Sequence, residues 1–176
     1  MLDVAIVKAS FTRKAGAAKA TVRYNQNRRG KEGTKITRQM YGWDGKMERK
    51  EAYQMIDEAP KGSYFYRLIL NPDPTKEDTH RDIYVWKVAE KTMRGLEGQL
   101  DTSVQWVAAT HDDHSPLRHV HLLAILPRKL DRGDLQFLRE MATGAALDQR
   151  RERDNILERR EKGKEQAWER QRERSK

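Results

Sequence analysis

A pair of strand-forming segments joined by a short polar turn constrains the fold more than any other feature of the sequence. Residues 103–111 and 118–126 are rich in Val, Leu, Ile and Ala, and two aspartates, a serine and a proline lie between them. Two such segments on either side of a turn predict an antiparallel hairpin. Because side chains alternate between the two faces of a strand, a hairpin also determines which side chains come together.

Four of the five histidines lie in this hairpin and its turn: His111, His114, His119 and His121. Pairing of the two strands puts His111 opposite His119, with Cβ atoms about 5 Å apart. His121 follows two residues later and projects from the same face. Three imidazoles that converge in this way predict a site for a divalent ion, and three protein ligands leave positions open for a substrate. His114 belongs to the turn and has no such position.

Ligand chemistry narrows the kind of site. The chain has no cysteine, which excludes thiolate zinc sites and cysteine nucleophiles, and imidazole ligands favour Mn, Zn, Ni or Co over Mg. Either Asp112 or Asp113 could accept a hydrogen bond from the second nitrogen of a ligand ring and so set its tautomer. Two alternatives to a catalytic site remain: surface histidines without an ion, and a purely structural ion.

Basic residues are concentrated near the N-terminus. Residues 7–38 carry ten Lys and Arg against one acidic residue. A segment of one sign attracts a polyanion, and nucleic acid is the commonest one, although a solvated face without a partner is the alternative. We therefore predict DNA contacts for eight of these residues: Lys14, Lys19, Arg23, Arg28, Arg29, Lys31, Lys35 and Arg38.

Outside the hairpin, the sequence predicts further strands and several helices. Strands are predicted over 3–10, 36–42 and 63–70, and helices over 15–27, 48–59, 79–100 and 134–147. The spacing within the first helix puts four residues on one face: Ala17, Ala20, Tyr24 and Arg28. This mixture of elements predicts an α+β fold, with a central antiparallel sheet flanked by helices, in one domain over residues 1–147.

The C-terminal residues 148–176 are predicted to form a charged helical extension. From Gln149 to Lys176, 18 of 28 residues are charged, with both signs interleaved, so this segment cannot bury a core of its own. The longest apolar run, residues 122–126, is too short to span a bilayer. The first ten residues lack the pattern of a secretory signal. We expect a soluble, cytoplasmic protein.

The motifs together resemble those of the DNA relaxases of conjugative and mobilisable elements, in the MobA-like (MOB-P) branch of the HUH endonucleases. The resemblance covers roughly residues 5–145 and depends on three elements: His119-Val120-His121, His111-Asp112-Asp113 and the tyrosine in ATVRYNQNRRG. It implies an HUH endonuclease-like fold. It also implies a metal-dependent, site- and strand-specific endonuclease and transesterase for single-stranded DNA, which begins conjugative or mobilisation transfer by forming a covalent 5′-phosphotyrosine.

The resemblance assigns roles residue by residue. It implies that His111, His119 and His121 bind Mn or Mg, with Zn, Ni or Co also bound in vitro, and that Tyr24 is the nucleophile. A free phenol has a pKa of about 10, so the nucleophile needs a nearby cation or base. Asp113 is a candidate catalytic base or an orienting group, and Tyr41 is the second candidate nucleophile.

The implied partners are single-stranded DNA at an origin of transfer, accessory relaxosome proteins and a coupling protein. Two other classes remain open at this point. The chain could be an HUH rolling-circle replication initiator or transposase, which would share the active site but act on different DNA. It could also be a non-catalytic DNA-binding accessory protein, in which an ion only stiffens the hairpin.

Overall fold

The structure is a computed structural model that describes residues 5–113 and 117–174. Its elements, in chain order, are β1 (Ile6–Thr12), α1 (Ala15–Asn27), β2 (Met40–Gly42), β3 (Gly45–Met47), α2 (Arg49–Asp57), β4 (Tyr64–Asn71), α3 (Val85–Leu100), β5 (Gln105–His111), β6 (His119–Leu126) and α4 (Arg132–Arg174). The strands form one antiparallel sheet in the order β1-β4-β6-β5-β2-β3. The prediction of an α+β fold with a central antiparallel sheet flanked by helices is confirmed.

Each face of the sheet has its own hydrophobic core. On one face, α3 and α4 pack over residues such as Leu68 and Leu122. On the other face, α1 and α2 pack over Val107, Leu123 and Ile125. Because side chains alternate, the histidines of β5 and β6 belong to this second face. We call it the histidine face and the first one the closed face.

Antiparallel pairing aligns residues of different strands in rows across the sheet. One row on the histidine face runs from β1 to β2 through Lys8, Ile69, His121, Ala109 and Met40. Met40 and Ala109 lie in the core under α1 and α2, whereas Lys8 is exposed at the other end of the row. The helices therefore cover only one side of this face.

The helix predicted over 79–100 begins only at Val85. Arg81 adopts a left-handed conformation, with φ of 53°, which cannot be continued as a right-handed helix. Asp78 and Asp82 lie in the same stretch and form ion pairs with Arg118 and Arg150, respectively. These four residues connect the loop before α3 to the start of β6 and to α4.

The strand predicted over 36–42 is shorter than expected and belongs to a small hairpin. Only Met40–Gly42 of this segment is a strand. After a short turn, β3 begins at Gly45, which has φ of 92°. Positive φ is readily adopted by glycine because it has no Cβ. The residues upstream of Met40 form an irregular segment that packs against the end of α1.

The C-terminal helix and its charged extension form a single helix of 43 residues. Its first part buries Leu138, Ala142 and Ala146 in the core of the closed face. Beyond Ile156 every described residue is exposed. The predicted boundary between residues 147 and 148 thus falls inside a continuous helix. Among the described residues, no helix combines the length and apolar character needed to cross a membrane.

Candidate metal centre and active site

Three imidazoles meet at one end of the histidine face. His111 pairs with His119 across the β5–β6 hairpin, in the register that the sequence predicts, and His121 projects from the same face. The ring centroids lie 4.3 Å (His111 to His121), 5.0 Å (His119 to His121) and 5.5 Å (His111 to His119) apart. One ring nitrogen from each residue lies within 4.8 Å of the others. His114, which the sequence assigns to the turn, lies outside the described residues.

Backbone carbonyls orient two of these rings. His111 Nε2 lies 2.7 Å from the carbonyl oxygen of Asn25, and His119 Nδ1 lies 3.1 Å from that of Leu117. A neutral imidazole has one N–H, so donation to these carbonyls leaves His111 Nδ1 and His119 Nε2 as lone-pair donors. A ring whose other nitrogen bonds to a carbonyl is the usual form of a metal-binding histidine.

Two ring nitrogens of the centre are buried without a hydrogen-bond partner in the described part of the chain: His111 Nδ1 and His121 Nε2. Leaving a buried polar atom unpaired costs about 1–3 kcal/mol, so such an atom calls for a ligand or another explanation. Burial lowers the pKa of His111 to about 4 and the pKa of His121 to about 3. The pKa of His119 is also lowered, again chiefly by burial.

The donor set fits a divalent ion. Metal-binding imidazoles must be neutral, and the lowered pKa values keep all three rings neutral at pH 7. Three nitrogen donors suit first-row ions such as Mn, Zn, Ni and Co. His111, His119 and His121 could therefore hold an ion together.

Tyr24 lies on α1 beside this centre. Its ring centroid is 6.4 Å from that of His121, in an edge-to-face arrangement. The side chain is 50% exposed, whereas a tyrosine that served only to pack the helix would be buried. Arg28 lies one helical turn later, and its Cζ is 5.7 Å from the centroid of the Tyr24 ring. A solvent-accessible phenol thus lies beside both the imidazoles and a cation.

Tyr41, the second candidate nucleophile, lies on the opposite face of the sheet. Its neighbour Met40 belongs to the core under α1 and α2, so Tyr41 projects toward α3. There it stacks on Trp86, with ring centroids 5.6 Å apart and an interplanar angle of 14°. The sheet itself separates Tyr41 from the histidines.

A groove leads away from the centre along the uncovered side of the histidine face. Its main cavity has a volume of about 730 Å³, and a smaller cavity of about 190 Å³ adjoins His119. Four residues line both cavities: Lys8, Arg28, Ile69 and His121. The wall of the main cavity contains the α1 residues Ala17, Ala20, Tyr24 and Arg28, the same four that helical spacing puts on one face.

Two cations of this groove were not identified as site residues from the sequence. Lys8 comes from β1 and Arg67 from β4, and both line the main cavity. Lys8 pairs with Ile69, and Arg67 pairs with Ser10, so both side chains project from the histidine face. The only sequence signal for Lys8 is its membership of the basic segment, and Arg67 has none.

The eight basic residues predicted to contact DNA occupy different environments. Arg28 lines the groove, and five are exposed: Lys14, Arg23, Arg29, Lys31 and Lys35. Lys19 forms an ion pair with Asp57 of α2, with Nζ 2.7 Å from Oδ2. Arg38 is only 8% exposed, so the expectation that it contacts DNA on the surface is not met.

Arg38 instead links α1 to the turn of the histidine hairpin. Its Nη2 donates to both carboxylate oxygens of Asp113, at 2.6 Å and 2.8 Å, and its Nη1 donates to the carbonyl of Arg28 at 2.8 Å. One buried guanidinium thus joins the end of the helix that carries Tyr24 to the segment that follows His111.

The turn aspartates are not the hydrogen-bond partners of His111 Nε2 and His119 Nδ1, which bond instead to the backbone carbonyls of Asn25 and Leu117. Asp113 forms an ion pair with Arg38, and Asp112 is exposed. The sequence could not reveal the contact with Asn25, because this carbonyl comes near the His111 ring only through tertiary packing, whereas Leu117 is a near neighbour of His119 in the chain.

The arrangement combines three imidazoles, an accessible phenol and a basic groove on a single face of the sheet. The chain matches no protein-family model, no curated protein and no solved structure. A divalent ion held by the three neutral histidines would be suited to act as a Lewis acid on a phosphoryl or carbonyl oxygen. Lys8, Arg28 and Arg67 add positive charge around it, which favours an anionic substrate.

Proposed function

We propose that the chain is a metal-dependent, site- and strand-specific endonuclease and transesterase for single-stranded DNA. In this proposal it is an HUH-type relaxase that begins conjugative or mobilisation transfer through a covalent 5′-phosphotyrosine. The observation that carries the proposal is the position of Tyr24 beside the three histidines at the end of a basic groove. A phenol, a Lewis-acid site and cations are the groups that this transesterification requires.

A Mn²⁺ or Mg²⁺ ion held by the three histidines would polarise a non-bridging oxygen of the scissile phosphate. Tyr24 Oη attacks the phosphorus, and an O–P ester bond forms as the bond from phosphorus to the 3′ oxygen breaks. The phenol proton passes to solvent, and the departing 3′ oxygen takes up a proton to become a hydroxyl. The reverse reaction, with an incoming 3′ hydroxyl, restores the phosphodiester and frees Tyr24.

Arg28 and Lys8 are suited to stabilise the scissile phosphate. Both line the two cavities that also include His121, so their charges lie close to the position next to Tyr24. Fixed cations aimed at a phosphoryl group stabilise the negative charge that develops in the transition state. Lys8 belongs to β1 and Arg28 is the C-cap residue of α1, so both are held by the fold and need little reorganisation during the reaction.

The groove offers a path for a single strand. Lys8 and Arg67 provide charge for the phosphates, and Ala17, Ala20 and Ile69 provide apolar surface. Single-strand binding proteins combine a basic groove with surfaces that receive bases. Accessory relaxosome proteins and a coupling protein are proposed as partners on the basis of the family resemblance.

In this proposal, Asp113 helps to hold α1 and the histidine hairpin in place. Its ion pair with Arg38 connects the turn after His111 to the last turn of α1. Both oxygens of this carboxylate already accept hydrogen bonds from Arg38 Nη2, so proton removal from Tyr24 is assigned to solvent. The ion pair instead maintains the spacing between the nucleophile and the histidines.

The test is covalent capture of DNA by the full chain. A pool of randomised single strands carrying a label at the 3′ end is incubated with the protein and Mn²⁺, and the products are separated on a denaturing gel. We expect a labelled protein–DNA adduct that disappears with chelator and in Tyr24→Phe, and that persists in Tyr41→Phe. An undiminished adduct in Tyr24→Phe contradicts the assignment of the nucleophile. DNA binding without any adduct would favour an accessory protein.

The captured sequences separate the alternatives that share this chemistry. A rolling-circle initiator or a transposase would give the same type of adduct. Sequencing the captured pool identifies the preferred nick site, which can then be compared with origins of transfer, origins of replication and transposon ends. Enrichment of one motif supports site specificity, whereas uniform capture of the pool contradicts it.

A further inference from the structure

Asn71 stands beside the histidine centre although it is far from the hairpin in sequence. It is the last residue of β4. Leu70 pairs with Val120 on β6, so continuing this register brings Asn71 next to His119. Asn71 has the same parity as Ile69 and therefore projects from the histidine face. The sheet topology thus adds an amide side chain to the three imidazoles.

The Asn71 carboxamide faces the smaller cavity of the groove. It lines this cavity, of about 190 Å³, together with His119 and His121. Asn71 Oδ1 is buried and has no hydrogen-bond partner within residues 5–113 and 117–174. In this part of the chain, six buried side-chain nitrogen or oxygen atoms share that condition, and three of them belong to Asn71, His111 and His121.

Asn71 lines the same cavity as His121, and the ring of His121 lies 4.3 Å from that of His111. A buried carbonyl oxygen without a partner costs about 1–3 kcal/mol, and each further unpaired atom adds to that cost. A single cation would give a partner to all three lone pairs at once. One water molecule has only two protons, so it could not donate to both ring nitrogens and to the amide oxygen at the same time.

We propose that Asn71 Oδ1 is a fourth donor of the metal centre, bound to the ion directly or through one ordered water. This inference rests on the function proposed above, because it assumes that the three histidines hold an ion. An amide oxygen is a hard ligand that Mn²⁺ and Mg²⁺ prefer, whereas imidazole alone favours softer ions. Asn71 would therefore shift the preference of the centre toward the ions that phosphoryl transfer commonly uses.

Metal binding by the full chain in the absence of DNA tests this inference. Titration calorimetry with Mn²⁺ and with Ni²⁺ is compared for wild type, Asn71→Ala and Asn71→Asp. Loss of a group that supports a metal site typically lowers affinity 10–100-fold. We expect Asn71→Ala to bind Mn²⁺ at least about tenfold more weakly, with a smaller effect on Ni²⁺. Asn71→Asp, which presents two charged oxygens, is expected to bind Mn²⁺ more tightly than wild type.

Ser10→Ala is the matched control. Ser10 belongs to β1 and lines the main cavity on the same face of the sheet, but it is absent from the lining of the cavity that contains Asn71. Its loss should leave both affinities unchanged. Circular dichroism of each variant checks the fold, and Asn71→Asp, which keeps the shape of the side chain, carries the test if Asn71→Ala does not fold.

The outcomes separate this inference from the proposal it rests on. If wild type binds neither ion, the proposed metal-dependent function itself is contradicted. If wild type binds Mn²⁺ and both Asn71 variants bind it equally well, the fourth-donor role alone is overturned. Unchanged Mn²⁺ affinity combined with a weaker DNA adduct in Asn71→Ala would also overturn it, since Asn71 would then act on the DNA.

Discussion

The closed face and the histidine face of the sheet consist of the same strands, but the closed face carries the larger hydrophobic core. Leu68, Leu122 and Trp106 are fully buried there under α3 and α4. On the histidine face, α1 and α2 bury only one side, and a groove remains over β1 and β4. The candidate site therefore lies at the border of the region that α1 and α2 leave uncovered.

A single strand shows the transition from core to site. Along β5, the residues directed to the histidine face are Val107, Ala109 and His111, and the first two lie in the core under α1 and α2. His111 is as completely buried as its neighbours, yet its Nδ1 has no hydrogen-bond partner among the described residues. The candidate site therefore continues the core of the histidine face, with buried ring nitrogens in place of aliphatic carbon atoms.

The largest expected effect concerns the histidine face alone. His121→Ala should abolish Mn²⁺ binding and reduce covalent DNA capture by about 10³-fold or more, because Lewis-acid stabilisation of this kind is worth several kcal/mol. Titration calorimetry and the denaturing gel measure both effects. His80 lies exposed in the loop before α3, so His80→Ala is the matched control and should change neither. Full activity of His121→Ala would remove the basis for a metal centre on this face.

The ion pair that joins α1 to the histidine hairpin should contribute to stability. Arg38→Met removes the guanidinium from its pair with Asp113. Breaking a fully buried pair in this way costs about 3–5 kcal/mol, and because the Asp113 side chain is 21% exposed we expect a loss near the lower end of that range. Urea unfolding monitored by tryptophan fluorescence measures the loss. The double variant Arg38→Met/Asp113→Asn removes both charges and should recover part of the lost stability. Equal stability of wild type and Arg38→Met would show that the pair does not hold the helix to the hairpin.

The difference between the faces can be measured with two aliphatic residues. Leu122 is 1% exposed on the closed face, so Leu122→Ala should lower the free energy of unfolding by about 2–5 kcal/mol. Ile69 lines the groove on the histidine face and is only half-buried. Ile69→Ala should cost less than about 1.5 kcal/mol but weaken binding of single-stranded DNA. A reversed order of the two stabilities would contradict the contrast between a closed and an open face.

A smaller effect is expected from Glu77, which is buried in the loop that connects β4 to α3. Burial raises the pKa of Glu77 from 4.5 to about 7. The folded state then binds more protons than the unfolded state between these pH values, so this group makes stability fall as pH rises through that window. The three histidines have the opposite effect on the pH dependence of stability. Because their pKa values are lowered in the folded state, their contribution makes stability fall as pH drops below about 6.5.

The comparison of wild type with Glu77→Gln isolates this contribution from that of the histidines. Urea midpoints are measured at pH 5 and pH 8 for both proteins. Relative to wild type, Glu77→Gln should gain about 1–3 kcal/mol between pH 5 and pH 8. Identical pH dependence of the two proteins would show that Glu77 is ionised normally in the folded state.

Local patterns were sufficient to predict much of the site. The β5–β6 hairpin follows from two strand-forming segments and a turn, and its register brings His111 opposite His119 as expected. The face of α1 that carries Ala17, Ala20, Tyr24 and Arg28 follows from helical spacing alone. These features depend on residues that are close in sequence, for which strand alternation and helical periodicity apply directly.

Other features required contacts between distant segments. The helix predicted upstream of Val85 is replaced by a loop, in which Asp78 pairs with Arg118, the residue before β6, and Asp82 pairs with Arg150 of α4. Charge alone suggested that Arg38 was exposed, but the end of α1 and the hairpin turn enclose it. The sequence left both Tyr24 and Tyr41 as candidates. The structure separates them, because they lie on opposite faces of the sheet.

The amino-acid sequence by itself determined that three imidazoles converge on one hairpin and that Tyr24 and Arg28 share a helix face, since both follow from the repeat of a strand or a helix. The tertiary structure alone decided that β1 and β4 lie beside that hairpin and bring Lys8, Arg67 and Asn71 to the groove. Strand order has no local period. It results from the burial of apolar surface by the chain as a whole, which brings residues that are distant in sequence into one row of the sheet.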